Sequence, residues 1–435
     1  MRTPLQPVLV CLRFWPQLAA CYLLGLLGRR GAIEFAAWAG QGQGFWADLW
    51  PSLIMPLAGI ARLGSYVAMF FVIRPGIPAL AALPRRSLRG IDVFATVVVP
   101  FVAIYLAWQM FREDWLAYEA SALNYSMGAA MTRPGSIDLH PESLPVGAWS
   151  WIVIGAALLV RYLLSWFKDR LPGWFIAVRI YVDTLWVFLV LTFSANQGLT
   201  LLLNPGKWVA ERRIVVWFND TKDSLFAHVA IVGKLWDGLM WAVGTVFGGA
   251  AVPLIWLAVA GIVYGAAATP DWRATARRVA GARASVLMER AAAHQKRVQT
   301  GWKRVPDKIR REVIQYAEDQ IGKFKPITDS ARLLLHGGVV ALSLYVLAYL
   351  GLAWLDMAGS FYRAQLGSGY LMRGMAWLLG PHSQQFWNGT RDTVALVSHV
   401  IIEPLRICLV ATTLGFCVSR VTTTAAEAGS SRSVP

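Results

Sequence analysis

The sequence predicts an all-α fold: a polytopic membrane protein with about eight transmembrane helices, outer amphipathic segments and a cytoplasmic helical hairpin. Hydrophobic residues make up 56% of the chain and charged residues 15%, whereas soluble domains carry about 25% charged residues. The apolar residues are grouped in runs close to the roughly 20 residues that a helix needs to cross a bilayer. Many of the 21 tryptophans lie near the ends of these runs, where an indole ring favours the headgroup boundary.

Eight apolar runs set the positions of the predicted spans. The first run is the weakest, because Arg13 and Pro16 interrupt it, and if it only lies in the interface the number of spans is seven. No clear small-x-small cleavage site follows it, so we expect a retained helix rather than a secretory signal. The predicted spans are 8–28, 51–73, 92–111, 149–167, 174–196, 247–268, 333–355 and 394–417.

The charges of the loops predict the orientation of these spans. The loop before the third span holds four arginines and no acid, which is typical of the cytoplasmic side. Residues 112–148 hold five acids against two arginines, so they are predicted to be an outer loop of ordinary composition. Residues 269–332 hold fifteen Lys/Arg against seven acids and are predicted to be cytoplasmic, as are both termini. The excess of arginine over lysine indicates a GC-rich genome, and hence a bacterial inner (cytoplasmic) membrane.

The spans and loops divide the chain into four predicted regions. They are an N-terminal membrane region at 1–268 with an outer amphipathic segment at 197–246, a basic cytoplasmic helical hairpin at 269–332, a C-terminal membrane hairpin at 333–417 with an outer loop at 356–393, and a disordered cytoplasmic tail at 418–435.

The basic hairpin carries one apolar stripe on each side of Pro306. Its default partner is the anionic inner leaflet near 273–325, where basic side chains reach the lipid phosphates. Alternatively, a soluble protein could dock at 275–325. The net charge of +16 is accounted for by the cytoplasmic loops, so we expect no nucleic-acid partner.

Two outer segments share a pattern of two aromatic residues, Asn, any residue, Thr, a basic residue, Asp and Ser or Thr. The pattern occupies residues 217–224 and again 386–393. A duplicated helical hairpin explains it, since internal repeats are frequent in membrane transport folds. Chance among interfacial residues explains it equally well, because Trp, Asn, Thr and Asp are common where helices enter the membrane.

The main candidate polar site is a set of ionisable residues in the last predicted span: His399, Glu403 and Arg406. Their spacing places all three on one helical face, and unpaired charge in hydrocarbon is costly. The face could relay protons, because imidazole titrates near neutral pH, or bind an anionic headgroup through Arg406. Alternatively, a Glu403–Arg406 ion pair pins two helices together with His399 at their interface.

Two weaker candidate sites lie elsewhere in the chain. Arg179 and Asp183 stand one turn apart near the cytoplasmic end of the fifth predicted span, where an arginine can snorkel to the interface. His228, Lys234 and Asp237 lie on the outer amphipathic segment. They form either a polar site at the outer mouth or simply the solvated face that such a helix needs.

The sequence predicts no metal, cofactor or catalytic site. The four cysteines lie in or beside apolar runs and lack metal-ligand spacing, so we interpret them as small buried hydrophobes. No phosphate loop, G-x-G-x-x-G or H-E-x-x-H motif occurs, so we do not expect an ATPase within the chain.

These features favour a non-catalytic membrane component. We expect it to transport, or to assist the transport or assembly of, a hydrophobic or envelope-related molecule, as a permease or as an accessory subunit of a larger complex. The alternative class is a membrane-embedded enzyme that acts on a lipid-linked substrate, with His399, Glu403 and the outer-face acids as its working groups.

Overall fold

The computed structural model describes residues 5–41, 44–83, 110–132, 148–166, 172, 175–196, 250, 252–264, 337–356 and 370–430. All regular secondary structure in these segments is helical, which confirms the all-α prediction. The helices are α1 (Gln6–Ala39), α2 (Phe45–Ile54), α3 (Pro56–Ile73), α4 (Pro78–Ala81), α5 (Met110–Thr132), α6 (Ala148–Trp166), α7 (Phe175–Asn196), α8 (Val252–Tyr264), α9 (Val339–Leu355), α10 (Tyr370–Leu379) and α11 (Gln384–Ser430).

Three helical segments are long and apolar enough to cross a membrane, so the chain is a membrane protein. They are Gln6–Ala39, Phe45–Gly76 and Thr393–Arg420. The predicted number of about eight spans is not confirmed. The predicted span at 92–111 begins outside the described residues, and shorter apolar helices, Trp151–Leu164, Val252–Tyr264 and Val339–Leu355, lie at three of the other predicted positions.

Helix α1 is long and apolar enough to span the bilayer, although the sequence pointed to it as the weakest span. It continues through Pro16 for 34 residues and packs along α3 and α11, which carry the other two candidate spans. Proline is tolerated within such helices because neighbouring helices and local adjustments satisfy the freed backbone groups.

Small residues bring α1 and α3 into close antiparallel contact. A Cβ atom added at Gly25 would overlap the Ser65 side chain, and one at Gly28 would lie 3.1 Å from the Cβ atom of Ala61. Residue numbers therefore rise along one helix as they fall along the other. Close approach over small residues is the usual basis of helix association in membranes, where no hydrophobic effect separates helix from lipid.

The Gly25 contact gives a direct test of this packing. The variant Gly25→Ala is expected to lose about 1–3 kcal/mol of unfolding free energy, because the added methyl group overpacks the α1–α3 interface. The midpoint of unfolding in mixed detergent micelles measures the change. Gly31→Ala is the matched control, since a Cβ atom at Gly31 meets nothing within 4 Å. It should be neutral or stabilise the helix by about 0.5–1 kcal/mol, and equal losses for both variants would contradict the packing.

The apolar part of α11 runs parallel to α3. Tyr66 interacts electrostatically with Glu403, and eleven or twelve residues further on, a Cβ atom added at Gly415 would lie 2.6 Å from Ile77. Since α1 is antiparallel to α3, the start of α1 and the end of the Thr393–Arg420 segment lie on the same side of the three-helix layer. The assignment of that side to the cytoplasm remains a prediction.

Two cysteines join α1 to α11 and offer a second test. Cys11 and Cys408 are free, and their thiols lie close enough to interact with each other. A membrane-permeant oxidant is therefore expected to link them, and proteolysis followed by mass spectrometry should recover α1 joined to α11. Cys11→Ser should abolish the linked peptide and Cys417→Ser should not. A linked peptide that survives in Cys11→Ser would contradict this contact.

Tyrosine hydroxyl groups tie further helices together. Each donates a hydrogen bond to a backbone carbonyl on another helix, and two of the three bonds are buried. Such bonds add to packing where lipid supplies no competing water. The pairs are Tyr264 to Phe70 at 2.6 Å, Tyr345 to Pro253 at 2.8 Å, and Tyr181 to Leu53 at 2.7 Å.

Helix is present in two segments that the sequence assigned to a loop and a tail, whose placement relative to the membrane stays a prediction. Residues 110–132, predicted largely as part of an outer loop at 112–148, form α5, which packs on α1. The tail predicted to be disordered from residue 418 continues α11 as helix to Ser430. A helix that already has a nucleus gains one hydrogen bond for each residue added, so a weakly helical sequence can extend it.

Several predicted features fall outside the described residues. They are the basic hairpin at 269–332, the amphipathic segment at 197–246 and the first copy of the aromatic pattern at 217–224. The second copy, 386–393, lies in the first turns of α11. The duplication therefore stays a prediction.

Candidate intramembrane polar site

Arg406 stands at the middle of the candidate span Thr393–Arg420 and is buried with Glu403. The guanidinium Nη1 atom donates to Glu403 Oε1 at 2.6 Å, and both side chains are less than a tenth exposed. The ion pair expected from the three-residue spacing is therefore present, one turn along a single helix. A charge-assisted bond of this kind is roughly twice as strong as one between neutral groups.

Asp356, which directly follows α9, joins this ion pair from a second helix. Its Oδ2 atom lies 3.5 Å from Arg406 Nη2, and its Oδ1 atom accepts a hydrogen bond from the Ser398 hydroxyl at 3.1 Å. The Asp356 side chain is only 4% exposed. The carboxylate therefore holds the end of α9 against α11 through two α11 residues, Ser398 and Arg406.

His399 completes the group, which we call the Arg406 cluster: Asp356, Ser398, His399, Glu403 and Arg406. His399 Nε2 lies 3.2 Å from Asp356 Oδ1. The histidine side chain is 30% exposed, whereas Asp356, Glu403 and Arg406 are each below a tenth. His399 thus forms the surface-accessible edge of a buried group of charges.

Tyr349 of α9 lies against the cationic side of the cluster. The centre of its ring is 5.3 Å from Arg406 Cζ, a distance at which an aromatic face attracts a cation. Tyr349 itself is fully buried. The guanidinium is therefore held between two carboxylates and an aromatic ring.

A second group of charges, the Arg62 cluster, joins α1, α3 and α5 through Arg29, Arg62, Glu113 and Asp114. Arg62 Nη2 donates to Glu113 Oε2 at 2.9 Å and Nη1 lies 3.5 Å from Asp114 Oδ1. Arg29 Nε donates to the same Asp114 oxygen. Asp114 is fully buried, so one carboxylate is shared by arginines from two candidate spans.

Sequence reasoning missed the Arg62 cluster. Arg62 lies near the middle of the predicted second span. An arginine at that depth indicates a functional site or an acidic partner, because unpaired charge in hydrocarbon is costly. Asp114 was interpreted as ordinary outer-loop composition, and its complete burial was not anticipated. Asp356 was missed for a similar reason, because it was placed in the outer loop 356–393.

Two tyrosines lie within electrostatic range of both clusters. Tyr22, at the middle of α1, interacts with Arg62, Glu403 and Asp356. Tyr66, one turn after Arg62 on α3, interacts with Arg62 and Glu403. Polar side chains thus interact at the centres of the three candidate spans, beside the apolar core that the same helices share.

The predicted pair of Arg179 and Asp183 is brought together with Arg161 of the neighbouring helix α6. Arg161 Nε donates to Asp183 Oδ1 at 2.7 Å, and Arg179 lies 3.7 Å from the other oxygen. Arg161 also stacks over the Trp186 ring at 4.9 Å. Both arginine side chains are 43% exposed. Solvent or lipid headgroups therefore weaken their attraction to Asp183 relative to the buried ion pairs of Arg406.

One predicted candidate site is not described by the structure. His228, Lys234 and Asp237 fall outside the described residues. In the parts of the chain that are described, no three His, Cys, Asp or Glu side chains are grouped to hold a metal ion. The chemistry available to the Arg406 cluster is ion pairing and proton exchange between an imidazole and carboxylates.

Comparison with known protein families, with characterised proteins and with solved structures finds no match to this chain.

Proposed function

We propose that the chain is a multi-pass component of the bacterial inner membrane with both termini in the cytoplasm. In this proposal it transports a hydrophobic or envelope-related molecule, or assists its transport or assembly, as a permease or as an accessory subunit of a larger complex. The observation that carries the proposal is the group of interacting polar and charged side chains at the middle of three helical segments that could cross a membrane.

Charge at this depth supports a role beyond anchoring. Ionisable side chains are expensive in hydrocarbon, and where they occur they line pathways or hold moving parts together. Arg62 and Arg406 each lie near the middle of a candidate span, and each is paired with an acid. A protein that only anchored a partner to the bilayer would be more stable with apolar residues at these positions, since replacing buried ion pairs by packed hydrophobic residues is often stabilising.

Exposed apolar surfaces support contact with lipid or with apolar partners. Helix α1 keeps Leu9, Leu12 and Leu24 more than half exposed. On α10, Trp377 is 85% exposed and Leu378 is 70% exposed. The anionic inner leaflet near 273–325 and a soluble partner at 275–325 are the proposed contacts of the basic hairpin.

A membrane-embedded enzyme acting on a lipid-linked substrate is the second candidate. The partly exposed His399 next to the buried Asp356 favours it, since an oriented imidazole can act as a general base. The first proposal takes precedence because the other members of the Arg406 cluster are occupied in ion pairs at the centre of the span.

Purification of the full-length protein from native membranes under mild conditions tests the proposal, with bound proteins and lipids identified by mass spectrometry. We expect transport or envelope-assembly subunits, or an envelope lipid, to be retained. Deletion of residues 275–325 should abolish recovery of a soluble partner, whereas Asp183→Asn, a control at the exposed Arg161 pair, should not. Recovery of neither partner nor lipid, or conversion of a lipid-linked substrate by the pure protein, would reject transport.

A further inference from the structure

We propose that His399 and Asp356 form an intramembrane proton-binding site, in which His399 takes up the proton and the buried Asp356 carboxylate holds it in place. The inference deepens the proposed function, on which it rests for its biological use, by naming the ion that the polar site binds. Neither residue need touch the transported molecule.

The first argument is the geometry of the pair. His399 Nε2 lies 3.2 Å from Asp356 Oδ1, so the neutral imidazole donates one hydrogen bond to the carboxylate. Uptake of a proton at Nδ1 converts this contact into an ion pair without moving either side chain. Transfer of the Nε2 proton to Oδ1 would then leave a neutral carboxylic acid and a neutral imidazole protonated at Nδ1. No other reactant is required.

The second argument is access. His399 is 30% exposed while Asp356, its partner, is 4% exposed, so a proton reaches the carboxylate through the histidine. His399 lies six residues inside the Thr393–Arg420 segment, which is about 9 Å along a helix. From Ile407 to Ser419, α11 carries no ionisable side chain except two buried thiols. Access to the site along α11 is therefore from the side on which the segment begins.

The third argument is the surroundings of the pair. Glu403 and Arg406 face His399 on its own helix, and Tyr349 faces Arg406 from α9. Tyr22 of α1 is within electrostatic range of Asp356, while Tyr66 of α3 interacts with Glu403 and Arg406. The tyrosines are neutral near pH 7, so the one side chain among these groups that ordinarily changes charge near neutral pH is His399.

The Arg62 cluster lacks this property. Its four members are two arginines and two carboxylates, and it contains no imidazole. It is therefore suited to fixing α5 against α1 and α3, and only the Arg406 cluster combines a buried carboxylate with an accessible imidazole.

Full-length protein labelled with isotopes on histidine, in nanodiscs, provides the test by magnetic resonance. The His399 signal is assigned by its loss in His399→Gln and followed as the pH is lowered. We expect it to convert from neutral imidazole to imidazolium in the folded protein. In Asp356→Asn it should bind the proton about tenfold more weakly, equivalent to about 1.4 kcal/mol, whereas Asp183→Asn should leave it unchanged.

Two outcomes would overturn the proton site: a His399 that stays neutral throughout the pH range in which the wild type is folded, or one that titrates identically in Asp356→Asn. The first of these outcomes is decided by titration of the wild-type protein alone. The experiment can therefore still reject the proton site if Asp356→Asn does not fold. Displacement of the proton by sodium at constant pH would assign the site to a metal cation instead. A normal titration in a protein that recovers no transport partner or lipid would reject the proposed function and leave the proton site standing.

Discussion

Replacement of Arg406 by methionine is expected to remove about 3–5 kcal/mol from the free energy of unfolding, the usual cost of breaking a buried ion pair by deleting one partner. Methionine replaces the apolar stem of the arginine but not its terminal guanidinium, and it leaves the buried carboxylates of Glu403 and Asp356 without this cation. Unfolding by sodium dodecyl sulfate in mixed micelles measures the loss, and the yield of folded protein from membranes should fall with it.

The double variant Arg406→Met, Glu403→Gln separates charge from packing. It removes one positive and one negative charge together, so it should recover at least half of the stability lost in Arg406→Met. Recovery is expected because the penalty comes from uncompensated charge rather than from the lost bond itself. If the double variant recovered none of the stability lost in Arg406→Met, uncompensated charge would not explain the loss, and the lost packing of the side chain, including its contact with Tyr349, would account for it.

Asp114→Asn is expected to have the second large effect, again about 3–5 kcal/mol. The substitution keeps the shape of the side chain but removes the charge that Arg29 and Arg62 share in a fully buried position. Helix α5 should detach from α1 and α3, which protease accessibility of residues 110–132 would report together with the unfolding midpoint.

Glu119→Gln is the matched control on the same helix. Glu119 is exposed and accepts a hydrogen bond from Trp115 Nε1, so its loss should change stability by no more than about 0.5 kcal/mol. The addition of Arg62→Met to Asp114→Asn should restore part of the loss. Equal, small effects of Asp114→Asn and Glu119→Gln would show that α5 is held by apolar contacts alone.

The sequence was sufficient to predict the last span and the contact within it. A spacing of three residues on a helix places Glu403 and Arg406 side by side whatever surrounds them, and charge in an apolar run indicates pairing. The helical class also followed from composition and from the lengths of the apolar runs. Residue spacing, composition and the lengths of apolar runs are local properties, so they can be interpreted without knowledge of the tertiary structure.

The partners contributed by other helices were not predictable in this way. Asp356 and Asp114 each follow an apolar run and carry nothing in their local sequence that separates a buried acid from an outer-loop acid. Their burial depends on which helix α9 or α5 packs against, a contact between residues 42 to 85 positions apart. Arg62 could have been identified from its position in an apolar run, and its need for an acid would have pointed towards Asp114 or Glu113.

The position of the Arg406 cluster has an electrical consequence. His399, where the proposed proton is taken up, lies six residues inside the 28-residue segment Thr393–Arg420, so a proton held there senses about a quarter of any voltage across the bilayer. A voltage of about 100 mV then contributes about 0.6 kcal/mol to its binding, a quarter of the ~2.3 kcal/mol for a complete crossing. That is a little less than half of the effect of a tenfold change in proton concentration. An energised membrane would therefore load or empty this pair even at constant pH.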